Sequence, residues 1–600
     1  MGMFSSRRRV EYEKVQRELT ALQERGRREG TAAVADDSWW LMRRCFEQMH
    51  RGKAWYAPLV LRSSRICFGM HAQLGKWFFA ACSSLSFGAA VLILDAELSK
   101  GDLPFPEELR PDIQLMADLS VEVAHRAGVP LVGYLVAETL TGMQIGDRTM
   151  ARELSSVLGG DDALRRLRAI HRNLQQSIKQ RAESLPQSSG VSSVAALRAM
   201  ADDMMIGLLD SALGDFAKGN LLAGNQAASA VLAASKTSRS IVYVAAGPTV
   251  GTAIRLDAPE TGRDLCTSIA LPGFGLEAVR TQLGKLRAVL ESAERRYRIR
   301  DQAVREAHAA VADAVWKPVL TAWPDLAGGR VALVPLGVSA LLPLYTTPVD
   351  GVPVCGLTDL TLAPSGNALM SAGFWPRPAR IDPLVVADPW YHDGVGNRPI
   401  PFTVPEARTV AAVHGVRPMI LREQDGDDDG DGNRGDRLRG PARSPGPAEL
   451  VGAAHPDLAR RMTSANLIHL AGHGILDAQN PLESAVLLGR PLLLSDLLRH
   501  DLQPGTTIVL SACHLAGIGT QLPGEQLGFP AAMLAMGASS VIAALWAIPD
   551  SKQTVGLMTS FHEELARGAP PSAALGSAVA RAASDGTRAE VWGPFAHVGA

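Results

Sequence analysis

The chain has 600 residues, more than one compact hydrophobic core usually organises, so we expect two or more domains. Its composition, 46% hydrophobic and 20% charged, is that of an ordinary soluble globular protein and excludes global disorder. Sixty Lys and Arg residues against 61 Asp and Glu give a formal net charge of -1, so overall electrostatics favour neither nucleic acid nor a membrane as a partner.

The six cysteines indicate a reducing compartment. They show no CxxC pair and no regular spacing, which disfavours a disulfide framework or a zinc ribbon. Residues 1–30 are rich in Arg and Glu and lack an apolar core, so no signal peptide is predicted. Arg outnumbers Lys, and Ala and Gly are abundant, a bias typical of GC-rich bacterial genomes. We therefore expect a bacterial, cytoplasmic protein.

One apolar segment, Trp77–Leu94, reaches the lower limit of membrane-spanning length because it carries no charge. It also contains three serines and a glycine, and acidic residues follow at once at Asp95 and Glu97. A buried helix or strand pair is therefore favoured over a transmembrane helix.

Residues 1–235 are predicted to be mainly helical. Val10–Arg28 is charged and helix-prone, and apolar residues at spacings of three and four mark an amphipathic helix over 164–178. Ala195–Leu213 and Leu221–Ala234 continue the helical pattern. No catalytic motif lies in this region, and we interpret it as a regulatory or interaction module suited to binding a partner.

Residues 236–600 show the alternation of an α/β domain. Short β-rich runs at 241–245, 252–256 and 266–271 precede a helix predicted from Leu276 to Ala314. Apolar strands then alternate with helices, which predicts a mostly parallel sheet flanked by helices, with working residues at the carboxyl ends of strands. The predicted strands are Val331–Pro335, Leu384–Ala387, Leu467–Leu470, Ala485–Leu488, Thr507–Leu510 and Ser539–Leu545. The predicted helices are Pro405–His414, Ala448–Met462, Leu494–Arg499, Gln526–Met536 and Lys552–Ala566.

A Gly-, Pro- and charge-rich segment at 424–447 interrupts the α/β domain and is predicted to be an exposed flexible loop. Its Asp425, Asp427, Asp429 and Asp436 imitate the spacing of a calcium-binding loop. However, a glycine stands where such loops carry an apolar residue, and the flanks do not resemble paired helices. A solvated acidic loop is therefore favoured over a calcium site, and no cofactor is expected.

Two strands of buried type end in residues capable of covalent chemistry. Residues 466–474 read Asn-Leu-Ile-His-Leu-Ala-Gly-His-Gly and run into His473, while residues 507–513 read Thr-Ile-Val-Leu-Ser-Ala-Cys and deliver Cys513. Neighbouring parallel strands would bring both side chains to one edge of the sheet. The segment between them holds a strand and a short helix, enough for a right-handed crossover.

This pair of residue types fits nucleophilic catalysis. An imidazole beside a thiol takes its proton and later protonates the leaving amine. The backbone N–H groups of Gly474 and Cys513 are the candidate donors to the oxyanion. Structural roles fit the same residues, with Cys513 as a small buried hydrophobe and His473 as a satisfied polar residue.

The motifs around the pair resemble the CHAT domain, a caspase-like cysteine peptidase domain related to separases. They comprise His473-Gly474, Asn480-Pro481-Leu482-Glu483-Ser484, Leu510-Ser511-Ala512-Cys513, Gly524-Glu525, Ala535-Met536-Gly537-Ala538, Leu545-Trp546, Pro549-Asp550 and a terminal strand expected at Trp592–Gly599. Upstream, Val334-Pro335-Leu336-Gly337, Ala363-Pro364-Ser365 and Ala387-Asp388-Pro389 extend the resemblance over the region 236–600. The resemblance implies a caspase-like fold, with His473 as the general base and Cys513 as the nucleophile.

Two features depart from the family pattern. After Cys513 the chain reads His514-Leu515-Ala516-Gly517, where the family has a polar pair ending in Thr-Gly, and this loop borders the substrate cleft. The tetratricopeptide repeats that often precede the domain are not evident.

A zinc site is the alternative interpretation of the histidines. His469 lies four residues before His473, and His514 adjoins Cys513. Residues four apart on a strand are separated by about 13 Å, too far to share one ion unless a turn intervenes. We therefore expect His469 to be a buried, hydrogen-bonded strand residue and predict no metal site.

The resemblance implies a pocket for the residue before the scissile bond, and separase-like members prefer a basic residue there. Glu525 and Asp550 are the candidates for an acidic pocket. Each also fits a structural role, Glu525 as a charge at a helix N-terminus and Asp550 as the N-cap of a helix beginning near Lys552. Trp546 is predicted to pack in the core or the cleft wall.

The sequence thus favours a cysteine endopeptidase that cleaves a protein or peptide partner and is regulated through residues 1–235. A non-catalytic scaffold that retains the peptidase fold is the alternative, and His473 with Cys513 disfavours it because a scaffold needs neither residue. A different thiol acyl-transfer reaction on the same pair is a third possibility.

Overall fold

The chain divides into two compact units. The computed structural model describes residues 6–99, 110–140, 226–258, 261, 263–290, 297–375, 378–392, 397–421, 456–477, 483–488, 490–498, 500–515 and 528–600. The first unit comprises Met1–Val279, Val334–Ser339 and Ser365–Asn367. The second unit comprises Arg280–Leu333, Ala340–Pro364 and Ala368–Ala600.

The first unit is mainly helical where the structure describes it, as predicted for residues 1–235. Its helices are α1 (Ser6–Glu29), α2 (Ala35–His50), α3 (Ala57–Gln73), α4 (Trp77–Ser99), α5 (Arg110–Arg126), α6 (Pro130–Leu140) and α7 (Gln226–Thr237). Short 3₁₀ turns lie at Thr31–Ala33 and Ala54–Tyr56. The helices expected at 164–178 and Ala195–Leu213 lie outside the described residues.

Helix α4 occupies the uncharged segment that was the candidate membrane span. Its Ala80, Phe87 and Val91 are buried against the neighbouring helices. The expectation of a buried helix is therefore confirmed. Among the described residues, no helix combines the length and the apolar character needed to cross a bilayer.

Three antiparallel strands belong to the first unit and match the three β-rich runs. They are β1 (Ser240–Ala245), β2 (Gly251–Leu256) and β3 (Cys266–Leu271). The Leu336 N–H donates to the Val244 carbonyl at 2.8 Å, so this bond joins the 334–339 segment to β1.

The strands that follow are short, and most are buried. They are β4 (Arg330–Pro335), β5 (Pro348–Val349), β6 (Val352–Pro353), β7 (Asp359–Leu362), β8 (Pro383–Ala387), β9 (Trp390–His392), β10 (Asn397–Pro399), β11 (Met419–Ile420), β12 (Leu467–Ala471), β13 (His473–Ile475), β14 (Ala485–Leu488), β15 (Arg490–Leu493), β16 (Thr506–Ser511), β17 (Ala538–Ala544) and β18 (Phe595–Gly599).

Eight of these strands pair side by side in the order β11-β8-β12-β16-β17-β18-β7-β4. Six of the seven pairings are parallel, and the β17–β18 pairing is antiparallel. Val386, Ile468 and Leu510 have no exposed surface, as expected for strands of a parallel sheet that is covered on both faces. The prediction of a mostly parallel sheet flanked by helices is confirmed.

The helices after β3 separate the strands as predicted. They are α8 (Leu276–Leu290), α9 (Tyr297–Val311), α10 (Lys317–Ala322), α11 (Val354–Leu357), α12 (Gly366–Phe374), α13 (Thr403–Val413), α14 (Pro456–Ser464), α15 (Leu494–Leu497), α16 (Phe529–Ala535), α17 (Lys552–Ala566), α18 (Pro571–Ser584) and α19 (Ala589–Trp592). A π-helical segment, Ala312–Trp316, joins α9 to α10. Shorter 3₁₀ turns lie at Pro324–Leu326 and Gly337–Leu341.

Three predicted elements differ from the structure. The strand Ala485–Leu488 forms, but it pairs antiparallel with β13 and β15 in a separate three-stranded sheet, because β13 lies too close along the chain for a crossover. The final strand begins at Phe595, since α19 occupies the residues before it. The single helix expected from Leu276 to Ala314 is described as α8 and α9, and residues 291–296 lie outside the described chain.

A fully buried carboxylate organises part of the first unit. Glu138, in α6, accepts a hydrogen bond at Oε2 from the Tyr243 hydroxyl at 2.8 Å and another from the Gly366 N–H at 3.0 Å. Its Oε1 accepts from the Asn367 N–H at 2.8 Å. Burial raises the pKa of Glu138 to about 7, although the three hydrogen bonds act in the opposite direction. This side chain therefore joins α6 to β1 and to the first turn of α12.

Replacing this carboxylate is expected to destabilise the protein. In Glu138→Gln an amide N–H faces a donor, so at least one hydrogen bond is lost at a cost of roughly 1–3 kcal/mol, measurable as a lower midpoint of urea unfolding. The raised pKa of Glu138 stabilises the wild type below about pH 4.5, and this contribution is lost as the pH rises through about 7. The difference in the free energy of unfolding between Glu138→Gln and the wild type should therefore narrow between about pH 4.5 and 7. Tyr243→Phe should lose less stability than Glu138→Gln. Equal urea midpoints for Glu138→Gln and the wild type would contradict this role.

Candidate active site

The parallel pairing of β12 with β16 brings the two predicted strand ends to one edge. Ala471 is opposite Ser511 in the register, and the Gly472 N–H donates to the Ser511 carbonyl at 3.3 Å. His473 and Cys513 each lie two residues beyond that pair. The chain segments that carry them therefore leave neighbouring strands at the same level.

Gly474 lies directly against the backbone of Cys513. A Cβ atom at this glycine would lie 2.2 Å from the Cys513 carbonyl oxygen and 2.8 Å from Leu515 Cγ, both far inside contact distance. Strand β13 passes over the turn after β16 at this point, and its Gly474 pairs with Val486 of β14. Because no side chain fits there, glycine is required for the backbone of β13 to lie this close to Cys513.

The environment of Cys513 keeps its thiol protonated at neutral pH. The side chain is half-buried, and its Sγ lies 4.0 Å from the Ile548 carbonyl oxygen. Burial raises the pKa of Cys513, and the Asp550 carboxylate adds to that effect, whereas the Arg300 guanidinium lowers it. The resting sulfur is therefore a thiol and not a preformed thiolate.

The environment of His473 keeps its imidazole neutral. Burial lowers the pKa of His473 to about 4, and the neighbouring His514 acts in the same direction. His514 has a left-handed backbone, with φ of 62°, and its N–H donates to the Trp546 carbonyl at 3.4 Å. His514, where the chain departs from the family pattern, is thus part of the sharp turn after Cys513, and its charge acts on His473.

Arg300 is a site residue that sequence reasoning missed. It lies in α9, and its Nη2 donates to the Ala547 carbonyl at 3.4 Å, one residue before the carbonyl that faces Cys513 Sγ. Its Nε is 3.9 Å from a carboxylate oxygen of Glu590, which is almost fully buried. A lone arginine in a predicted helix carries no motif, and only the packing of α9 beside the loop after β17 reveals its position.

Of the residues predicted for the substrate pocket and its wall, the structure describes Asp550 and Trp546. Asp550 is exposed, and its Oδ1 accepts a hydrogen bond from the Phe402 N–H at 3.0 Å. Its alternative role as an N-cap is wrong, because Ser551 caps α17 by accepting from the Thr554 N–H at 3.3 Å. Trp546 is 5% exposed, as expected for a packing residue. Glu525 lies outside the described residues.

The two alternative metal sites lie only partly within the described chain. Asp425, Asp427, Asp429 and Asp436 of the candidate calcium loop lie outside the described residues. Within the described chain, no three His, Cys, Asp or Glu side chains converge as metal ligands. His469 is fully buried and hydrogen-bonded to Glu406 and His562, which confirms the expectation of a buried strand histidine.

Filling the space at Gly474 is expected to disrupt this edge. The methyl group of Gly474→Ala meets a backbone carbonyl, so the variant should lower the free energy of unfolding by roughly 1–3 kcal/mol, as overpacking does. Urea unfolding of the full chain measures the change. The control is Gly556→Ala in α17, where an added Cβ meets nothing within 4 Å and stability should stay equal or rise. An unchanged midpoint for Gly474→Ala would mean that β13 is not held against Cys513.

Removing the Arg300 charge is expected to make the Cys513 thiol less acidic. Arg300→Gln should raise the pKa of Cys513, because a cation that stabilises the thiolate is lost, whereas Arg300→Lys should keep most of the effect. The pH dependence of iodoacetamide alkylation at Cys513, followed by mass spectrometry, measures this pKa. Identical profiles for the wild type and Arg300→Gln would show that the guanidinium does not act on the sulfur.

A family model and solved structures are similar to this chain. The family model of the CHAT domain matches residues 305–600. A comparison with curated proteins gave no match. Among solved structures, the chain is similar to chains in two crystal structures of the Saccharomyces cerevisiae separase–securin complex, at 3.0 and 2.6 Å resolution, with TM-scores of 0.42 and 0.40 and sequence identities of 10% and 11%. These alignments cover 91% and 95% of this chain but 50% of each solved chain, so this chain spans half their length. The family match covers 296 of the 600 residues, all within the region whose motifs resemble this domain.

Proposed function

We propose that the protein is a caspase-like cysteine endopeptidase in which Cys513 is the nucleophile and His473 the general base. The observation that carries the proposal is the parallel β12–β16 pair, whose opposed ends at Ala471 and Ser511 lead to a histidine and a cysteine within the residues that the CHAT domain model matches. The substrate is a protein or peptide partner.

The protonation states favour a general-base mechanism. At neutral pH the thiol of Cys513 and the imidazole of His473 are both uncharged. As the sulfur attacks the scissile carbonyl, His473 takes the thiol proton, and the carbonyl oxygen becomes negative. The backbone N–H groups of Gly474 and Cys513 are the proposed donors to that oxygen. The protonated imidazole then gives its proton to the leaving amine, and water hydrolyses the thioester.

The specificity is proposed to be for a basic residue before the scissile bond. Asp550 supports this part of the proposal because its exposed carboxylate acts electrostatically on Cys513. Glu525 is the second proposed member of the pocket. An exposed carboxylate beside the nucleophile attracts the side chain of Arg or Lys.

Residues 1–235 are proposed to regulate the peptidase by binding a partner, in a cytoplasmic setting. None of the residues proposed to carry the chemistry lies in this region of the sequence. A partner that binds this region should therefore change the cleavage rate of the full chain without competing with peptide substrates.

The peptidase activity is tested with a mixed peptide library and the full chain. The wild type should produce new ends after Arg or Lys, Cys513→Ala should produce none, and His473→Ala should lose about 100-fold or more in rate. The matched control is Cys266→Ala, which removes another half-buried thiol and should keep the activity. Cleavage by Cys513→Ala, or partner binding without cleavage by the wild type, would overturn the proposal, and the second result would favour a scaffold.

A further inference from the structure

Four side chains, one of them in β12, form a continuous hydrogen-bond chain. Glu406 Oε1 is 3.0 Å from His469 Nε2, His469 Nδ1 is 3.0 Å from His562 Nε2, and His562 Nδ1 is 3.0 Å from His414 Nε2. His469 and His562 have no exposed surface and Glu406 is 4% exposed, whereas His414 is half-buried. The chain therefore runs from the core to the surface.

The donor and acceptor of each hydrogen bond follow from Glu406, at the buried end of the chain. A carboxylate can only accept, so with Glu406 ionised the proton of the first bond lies on His469 Nε2. Neutral His469 then accepts at Nδ1 from His562 Nε2–H, and neutral His562 accepts at Nδ1 from His414 Nε2–H. Burial lowers the pKa of His562 far below its usual value, with further lowering by His469 and His414, so His562 stays neutral.

We infer that Glu406, His469, His562 and His414 form a relay that carries one proton between the surface and the buried Glu406–His469 pair. A solvent proton binds His414 Nδ1, the proton on His414 Nε2 moves to His562 Nδ1, and the proton on His562 Nε2 moves to His469 Nδ1. His469 becomes an imidazolium paired with the Glu406 carboxylate. One proton is gained, and all three hydrogen bonds are kept, with the last two reversed in direction.

The surroundings of the relay support this assignment. On the neighbouring strands, the partners of His469 are the apolar residues Val385 and Val509. Burial raises the pKa of Asp550, on the loop before α17, the hydrogen bond from the Phe402 N–H lowers it, and the Glu406 carboxylate raises it further. In the relay the excess proton is held by its ion pair with Glu406, and its arrival changes the charge that acts on Asp550.

The relay is tested by NMR of the full-length protein with ¹⁵N-labelled histidine rings. At pH 8, His469 and His562 should both be neutral with the proton on Nε2. On acidification, His562 should change to the Nδ1–H form while staying neutral, and His469 should gain its second N–H in the same step. A His562 imidazolium, or a neutral Nδ1–H form of His562 at pH 8, would overturn the inference.

Two variants block the relay at opposite ends. In His414→Gln the amide still donates to His562 Nδ1 but cannot pass a proton, and in Glu406→Gln the acceptor oxygen remains without its charge. Each variant should abolish the protonation of His469 or lower its pH midpoint by about one unit or more. His500→Gln removes an exposed histidine outside the relay and should leave the step unchanged. Persistence of the wild-type step in both relay variants would refute the inference, and since the readout is ring protonation, loss of peptidase activity has no bearing on it.

Discussion

The parallel pairing of β12 with β16 is the constraint on which the candidate site depends. Its backbone register places Ala471 opposite Ser511, and His473 and Cys513 each lie two residues beyond that pair. A slip of one residue would turn each side chain to the other face of the sheet. The close approach of Gly474 to the Cys513 carbonyl adds a second constraint, because β13 can cross the turn after β16 only where the side chain is a hydrogen atom.

Burial decides the electrostatics of the site more than any single charged neighbour. It is the largest influence on both His473 and Cys513, lowering the pKa of the imidazole and raising that of the thiol. The two groups are therefore neutral together, and the thiolate has to be generated during the reaction. His514 and Arg300 adjust this balance in opposite senses, since His514 opposes a charge on the base and Arg300 favours a charge on the sulfur.

Strand β12 positions one histidine of the candidate site and one histidine of the buried hydrogen-bond chain, four residues apart in sequence. His473 follows its end, while His469, within the strand, joins Glu406 of α13 to His562 of α17. These two helices pack against each other, and the loop before α17 also binds the start of α13 through Asp550 and the Phe402 N–H. A buried polar chain of this kind holds its elements in one arrangement because each unmade hydrogen bond in the core is costly.

The sequence by itself determined the strand ends and the residue types that they carry. Apolar runs ending in His473 and Cys513 predicted neighbouring parallel strands, because strands buried on both faces read as continuous apolar stretches. Only the tertiary structure decided which distant side chains lie near Cys513 and which contact His469 within β12. Arg300, Glu406 and His562 come from helices whose sequences carry no motif, and β14 joined a separate sheet although its pattern matched the others. Local patterns reflect burial and period along one element, whereas the partners of a buried polar group depend on how whole elements pack.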